Sequence, residues 1–476
     1  MEVNNRLASQ YSIRTSDRRT FRRCMRKWDF QSSLRQNLTH TGSEQNINFW
    51  FGSAIHFSLE DYHGLNQFQD PRRALYEYYH AFKDEDMPMG AEMNYPLGLS
   101  MLTYYLTWMP RHNQQTGFET AWMDPNTYAI MPKGAPGAIP AVEISFYIPL
   151  NVYAVVDADD NKIGNSFYFN KETETLEHLQ MTHPDLPKDW SPDNDPDWVY
   201  NVETGMPIKI IGVNYHGTID RIVVDRYGRY WLWDYKTAKK ADTAKLATDD
   251  QVSAYLWAAK KIFPFAVYGF VYLQLVKEAI KEPRRLKNGT LSVDKRQRTT
   301  YGLLRQAIIE DYGDVNAAPS NLIQFLNVLA AQEEPEGDRF IRWDFVKRTD
   351  EQLLATEKSI YGELGVMLNP TQYCYPSPTR DCIWDCPFRD ACIMLDMNDT
   401  DAYQEFMVAF EERPHREDGN MDDWRQAIAW PTLNSEGQPI LVDMEEIMNF
   451  NSALVIADNE DNEGKEDFEF YYEEPC

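Results

Sequence analysis

No stretch of this 476-residue chain is apolar for long enough to span a bilayer. A spanning helix needs about 20 consecutive apolar residues. The longest candidate, Phe263 to Val276, is shorter and is interrupted by polar side chains. The first twenty residues, MEVNNRLASQYSIRTSDRRT, lack an apolar h-region, so a secretory signal is not expected and a cytoplasmic location is. No internal repeat is visible, and a stacked-repeat architecture is not expected. Cysteine is scarce: six in all, yet Cys374, Cys382, Cys386 and Cys392 fall within nineteen residues. Without an export signal, such a cluster points to a metal site before a disulfide. Hydrophobic residues make up 43% and charged residues 25%, the balance of a globular protein with a large core.

Cations are in short supply. The net charge is −27, which argues against phosphate binding by the chain as a whole. The deficit is local, however. From Asp396 onward there are 23 acidic residues against 4 basic ones, a net −19, leaving −8 for Met1 to Leu395. Most of the chain is therefore not strongly acidic, and the C-terminal end needs its own explanation.

Residues 14–35 read as a basic helix capped by Thr15 or Ser16, with Phe21, Met25 and Trp28 at helical spacing among Arg18, Arg19, Arg22, Arg23, Arg26 and Lys27. A second helix is expected from near Gly52, with more helix to about Trp108 and a Pro- and Gly-rich connection over 109–140. AVEISFYIPL (141–150) alternates like a strand, and the polar stretch 151–205 reads as an insertion or long hairpin. PIKIIGVNYHGTIDRIVVD and RYWLWDYKT flank the turn DRYG as a β-hairpin. A helix over 247–262, a strand over 265–276, a basic loop and helices over 301–365 follow. The cysteine-rich segment is 371–396, and 456–474 is strongly acidic.

The sharpest constellation is GTID followed across the hairpin by WDYKT. Asp220 lies on the first strand. Asp234 and Lys236 lie two apart on the second, so their side chains leave the same face. An isolated Asp-x-Lys is usually a solvated edge pair, but Tyr230, Trp231, Leu232 and Trp233 make this strand apolar, and charges within it need a reason. Two carboxylates there can hold Mg²⁺ or Mn²⁺, hard ions that take oxygen ligands. Such an ion activates water and stabilises a cleaved phosphodiester, while Lys236 can orient the water or neutralise the developing charge.

GTIDRIVV and WLWDYKT resemble the core of the PD-(D/E)XK nuclease superfamily, in its RecB-like branch, which includes RecB and AddB nuclease domains and four-cysteine CRISPR-associated exonucleases. The resemblance implies a metal-binding His56 in GSAIH after Gly52, a site-facing Glu143 in AVEISF, and Gln251 and Tyr255 in a Q-x-x-x-Y pattern beside the path of DNA. It is the order His, Glu, Asp, Asp-x-Lys, Gln-x-x-x-Tyr over roughly residues 14–396 that is specific; a lone His or Q-x-x-x-Y is not. His56, Asp220 and Asp234 would then bind metal, with Lys236 assisting catalysis.

CIWDCPFRDAC, with Cys24 in FRRCMRKW, is similar to the four-cysteine members of that branch. This implies a [4Fe–4S] cluster on Cys24, Cys382, Cys386 and Cys392, tying the N- and C-terminal parts together. The chain has three residues between Cys382 and Cys386 where the family has two, and Cys374 offers a local Cys₄ zinc site as the alternative. Cys476 is expected to be unpaired.

The expected architecture is an α/β, restriction-endonuclease-like mixed sheet with helical flanks and a cysteine-cluster segment. Its parts would be an N-terminal helical region (1–140), the nuclease core (141–280, insertion about 151–205), a basic loop with helices and cysteines (281–396) and an acidic extension (397–476). Arg284, Arg285, Lys287, Lys295, Arg296 and Arg298 are expected to join the 18–27 helix in a phosphate groove. The resemblance implies a metal-dependent deoxyribonuclease of phage or bacterial type, an exonuclease acting on ends or single strands. No GxxxxGK[ST] motif is present, so a helicase or recombination partner would do any unwinding. The alternative is a non-catalytic DNA-binding or assembly protein on the same fold, with zinc in the cysteine site.

Overall fold

In the computed structural model, residues 11–40, 47–81, 90–156, 207–332, 339–369, 372–383, 386–412, 430–435 and 438–448 are described, with Pro88, Ile428 and three short strands within 157–206. The strands are β1 (Tyr11–Ile13), β2 (Leu38–His40), β3 (Glu119–Thr120), β4 (Trp122–Met123), β5 (Ile139–Pro140), β6 (Val142–Val156), β7 (Phe167–Asn170), β8 (Thr175–His178), β9 (Val199–Tyr200), β10 (Pro207–Val224), β11 (Tyr230–Ala238), β12 (Val267–Val276), β13 (Ile341–Val346) and β14 (Phe410–Glu412). The α-helices are α1 (Thr15–Arg23), α2 (Met25–Gln31), α3 (Ile47–His63), α4 (Pro71–Ala81), α5 (Tyr95–Thr116), α6 (Asp250–Ile262), α7 (Tyr301–Tyr312), α8 (Ser320–Gln332), α9 (Asp350–Met367), α10 (Arg389–Asp396) and α11 (Thr400–Met407).

One mixed sheet organises these elements, in the order β13-β12-β11-β10-β6-β7-β8, with β1, β3 and β9 also pairing β10. β10 and β11 form the expected hairpin, and β12 returns parallel to β11 after α6. This is the βαβ crossover that a parallel pair requires. Period-two alternation along β11 sorts its side chains between two cores. Trp231, Trp233 and Tyr235 pack with α3, α4 and α5. Leu232 packs with α6 and α9 on the other face. Asp234 and Lys236 share the parity of Leu232, so they leave the sheet towards α6. The fold is thus the mixed α/β class expected.

Local chemistry explains where the elements depart from expectation. The helix read over 14–35 is two helices, broken where Cys24 takes extended geometry (φ −158°, ψ 109°) and caps α2 by accepting from the Lys27 amide. α5 runs through Pro110 to Thr116, into the region read as a connection, and stops at Gly117 in the left-handed conformation (φ 72°). β13 lies inside the stretch read as helical. Ile341 and Trp343 are buried there and pack on the core shared with α5, while Arg342 and Asp344 pair with each other at 3.1 Å. β13 is short, and its alternation does not stand out between helices. The acidic segment 456–474 and most of 151–205 lie outside the described residues.

Candidate active site

Where β10 parts from β11, the sheet opens. The ladder between them runs from Val224↔Tyr230 to Arg221↔Trp233. Past that ladder, the Tyr235 amide donates to the Asp220 carboxylate at 2.7 Å. Beyond that point β11 continues against β12 as far as Ala238↔Val276, while β10 continues against β6. Asp220 therefore stands at the fork. On β6, next to Ile144, which pairs Ile219, Glu143 adopts φ 51°, a left-handed geometry that costs an L-residue about 1–2 kcal/mol.

α3 supplies the third ligand type. His56 Nδ1 lies 3.4 Å from Asp220 Oδ2, and its ring meets Tyr235 edge-on. Burial lowers the His56 pKa despite the neighbouring Asp220, favouring the neutral imidazole that ligates metals. Ligand atoms of His56, Glu143 and Asp220 all lie within 4.8 Å of one another. Gly52, one turn before His56, faces Thr237 at 3.7 Å from where a Cβ would stand, leaving ordinary space between α3 and β11.

Asp234 is 1% exposed, a buried carboxylate that needs partners. Its Oδ1 accepts from Lys236 Nζ at 2.7 Å and from Gln251 Nε2 at 3.0 Å. Its Oδ2 is buried with no hydrogen-bond partner among the described residues, as expected of an oxygen awaiting a cation. Burial raises the Asp234 pKa to about 7; Lys236 pulls it down and Asp220 pushes it up. For Lys236, burial opposes the charge, but Asp234 and Asp220 outweigh it and keep the ammonium charged. Asp234 stands outside the group formed by His56, Glu143 and Asp220, held by its lysine and glutamine.

Gln251 and Tyr255 sit one turn apart on α6, and burial raises the Tyr255 pKa. Asp249 starts that helix by accepting from the Val252 amide at 3.0 Å. α1 is bound to the same helix start: Arg19 meets Asp249 at 3.2 Å, and Arg18 and Arg22 meet Asp250 at 3.3 and 2.5 Å. Arg18, fully buried, also reaches Glu363 of α9 at 2.7 Å. The arginines expected to face phosphate are thus largely engaged in holding α1 to α6 and α9. Reading the sequence overlooked Asp249 and Asp250, although an Asp just before an apolar helical run is an N-cap signal. The 284–298 loop behaves likewise, with Arg285 on Asp311, Arg296 on Asp294 and Arg298 on Glu278.

A second constellation lies at the far end of α1. Cys24, Cys382, Cys386 and Cys392 line one cavity of about 170 Å³. The Lys27 amide donates to Cys24 Sγ and the Thr379 amide to Cys382 Sγ, each at 3.4 Å; Arg26 donates to Cys392 Sγ at 3.3 Å. Burial raises the thiol pKa values of Cys386 and Cys392, and proximity to Cys24 raises both further. Four thiols converging on one cavity are the donor set that soft metal ions take. Cys374 is elsewhere, packed against the main core and accepting from Arg35 at 3.4 Å.

A family model for the PD-(D/E)XK nuclease superfamily matches residues 15–393, and the chain belongs to that superfamily. Its members are metal-dependent nucleases, with Mg²⁺ or Mn²⁺ the usual ion and DNA the substrate the fold implies. No curated protein matches the sequence. No helix among the described residues is long and apolar enough to cross a membrane.

Proposed function

We propose that the chain is a Mg²⁺- or Mn²⁺-dependent deoxyribonuclease, an exonuclease of the RecB-like branch acting on DNA ends or single strands. The observation that carries this reading is the joining of His56, Glu143 and Asp220, all within 4.8 Å, to the Asp234–Lys236 pair at the fork of the sheet. His56, Glu143, Asp220 and Asp234 would hold a divalent ion there, and that ion would supply Lewis acidity for phosphodiester hydrolysis. The chain's own groups do the rest. The Lys236 ammonium, held charged by its carboxylate neighbours, neutralises charge developing on the phosphoryl oxygens. Gln251 fixes the Asp234 carboxylate, and Tyr255 walls the approach from α6. Neutral His56 offers a lone pair without adding charge.

In the same reading, Cys24, Cys382, Cys386 and Cys392 hold a [4Fe–4S] cluster. The cluster clamps the α1–α2 junction to the segment carrying α10, and its role is structural because it lies outside the hydrolytic group. A helicase or recombination partner supplies unwinding.

The test uses anaerobically purified protein, end-labelled single- and double-stranded DNA and either ion. Wild type degrades DNA, while Asp234→Ala and Lys236→Ala are slower by about a thousandfold with unchanged circular dichroism. Degradation by either variant at the wild-type rate would overturn the assignment. Zinc instead of iron in the purified protein would overturn the cluster.

A further inference from the structure

His56 comes from α3 and Asp220 from β10, yet His56 Nδ1 lies 3.4 Å from Asp220 Oδ2. One residue of β11, Tyr235, touches both. Its amide donates to the same Asp220 oxygen at 2.7 Å. Its ring meets the His56 ring edge-on at 6.2 Å and stacks on the His63 ring, also at 6.2 Å. His56 and His63 are two turns apart on α3, so one aromatic ring fixes the face of the helix that carries the ligand.

Tyr235 is itself held by a closed circuit on the face of the sheet opposite α6. Its hydroxyl accepts from Arg221 at 3.5 Å, and Tyr105 of α5 meets its ring edge-on at 6.4 Å. Arg221 Nε donates to the Thr120 hydroxyl at 2.9 Å, and that hydroxyl donates to the His63 carbonyl at 3.3 Å. The Tyr105 hydroxyl shares a hydrogen bond of 2.7 Å with His63 Nε2, which returns the circuit to α3. Arg221 is 2% exposed and lies over Trp233, with no carboxylate partner among the described residues. A buried cation costs free energy unless an acid offsets it. Stability alone therefore does not account for an arginine here. A buried polar network does, however, make its surroundings rigid.

We propose that Arg221 and Tyr235 are positioning residues that fix the spacing of His56 and Asp220, and so make the site selective for a small divalent ion. This selectivity rests on the ion centre of the nuclease reading and goes beyond it. Mg²⁺ demands near-ideal octahedral geometry at about 2.0–2.1 Å, whereas Ca²⁺ takes about six to eight oxygens in flexible geometry at about 2.3–2.6 Å. A rigid spacing favours the first ion. A loosened one loses the first and keeps the second.

The experiment is competition, without DNA, of Mg²⁺ and of Ca²⁺ against bound Mn²⁺, read by the electron paramagnetic resonance signal of free Mn²⁺. It uses the full chain, purified anaerobically, as wild type, Tyr235→Phe, Arg221→Met and the double variant, all far below their thermal midpoints. Tyr235→Phe keeps the ring and loses only the hydroxyl. Arg221→Met keeps an apolar stem and loses the charge. Each is expected to weaken Mg²⁺ binding about tenfold or more and to leave Ca²⁺ binding nearly unchanged. Both break the same link, so the double variant is expected to be no weaker than either single one. A mere loss of stability would move the two ions alike. Unchanged Mg²⁺ affinity in either single variant overturns the assignment, as does an equal loss of Mg²⁺ and Ca²⁺, or no Mn²⁺ binding by wild type. Should Arg221→Met not fold, Tyr235→Phe alone decides. If wild type cuts DNA while the variants keep its ion selectivity, the nuclease reading stands and the positioning role falls. If selectivity is lost as expected while wild type cuts nothing, the reverse holds.

Discussion

The carboxylate centre and the cysteine pocket both gather side chains of metal-ligating type, but they are built differently. At the carboxylate centre, Asp220, Asp234 and Lys236 come from two consecutive strands, and the hairpin register alone brings them together. His56 and Glu143 are added from α3 and β6. The cysteine pocket joins Cys24, at a break between two helices, to Cys382, Cys386 and Cys392 near the other end of the matched region. One site is rigid because a sheet holds it, the other because tertiary packing closes it. The first should therefore survive loss of its ion with its geometry intact. The second should lose a long-range tie.

The largest test of this contrast is to remove one thiol at a time. Cys24→Ser is expected to abolish iron incorporation and lower the thermal midpoint, whereas Cys374→Ser leaves iron content unchanged. Iron and sulfide analysis with thermal denaturation reads both. Equal iron loss in the two variants would mean that the pocket is assembled locally after all. In contrast, Asp234→Ala should leave the thermal midpoint near the wild-type value even as cleavage is lost.

A smaller effect is expected at Gln251. Its hydrogen bond to the Asp234 carboxylate is charge-assisted, so Gln251→Ala should slow cleavage about 10- to 100-fold. A rate within a factor of two of wild type would show that Lys236 alone is enough to orient the carboxylate.

The pH dependence sharpens the same comparison. Burial holds the Asp234 pKa at about 7, so protons compete with the divalent ion. Ion affinity should fall about tenfold for each pH unit below about 7 and level off above it. The sign for folding is opposite. A carboxylate whose pKa is raised by folding stabilises the ion-free protein fully below its ordinary value of 3.8, and that contribution is lost as pH rises through about 7. The ion-free thermal midpoint should decline over that window, and saturating Mn²⁺ should reverse the decline.

The smallest effect concerns backbone strain. Glu143→Gly relieves the left-handed geometry and should stabilise the ion-free protein by about 1 kcal/mol, measured by thermal denaturation, while weakening ion binding. A less stable variant would show that the Glu143 side chain contributes more to the fold than its φ angle costs.

How much of this was legible in the sequence depended on spacing. Asp220, Asp234 and Lys236 were readable because a two-residue strand period and a four-residue turn determine their meeting. Gln251 and Tyr255 were reached through the resemblance, and the helical period only explains why they share a face of α6. Glu143 and His56 were reached only through resemblance, since neither periodicity nor composition says which helix packs behind β11. The basic helix misled for an electrostatic reason. Positive charge along a helix marks a phosphate surface only if no acid lies opposite, and Asp249, Asp250 and Glu363 are opposite. Arg14 heads that helix and donates through Nε to Nδ1 of His216, which sits in an apolar strand where a histidine reads as core. Their pairing at 3.2 Å depends on β1 lying parallel to β10, with Ile13 opposite Tyr215, which no local pattern announces. β13 was hidden by its length.

The central claim is that the fork of the sheet is a divalent-ion centre, and calorimetric titration of Mn²⁺ tests it most directly. Wild type and Asp220→Asn would be compared at a pH above 7, after chelation and with the cysteine pocket loaded. Wild type is expected to bind Mn²⁺ saturably and Asp220→Asn to lose that binding, with both proteins equally folded. Equal binding by the two, or none by wild type, would contradict it.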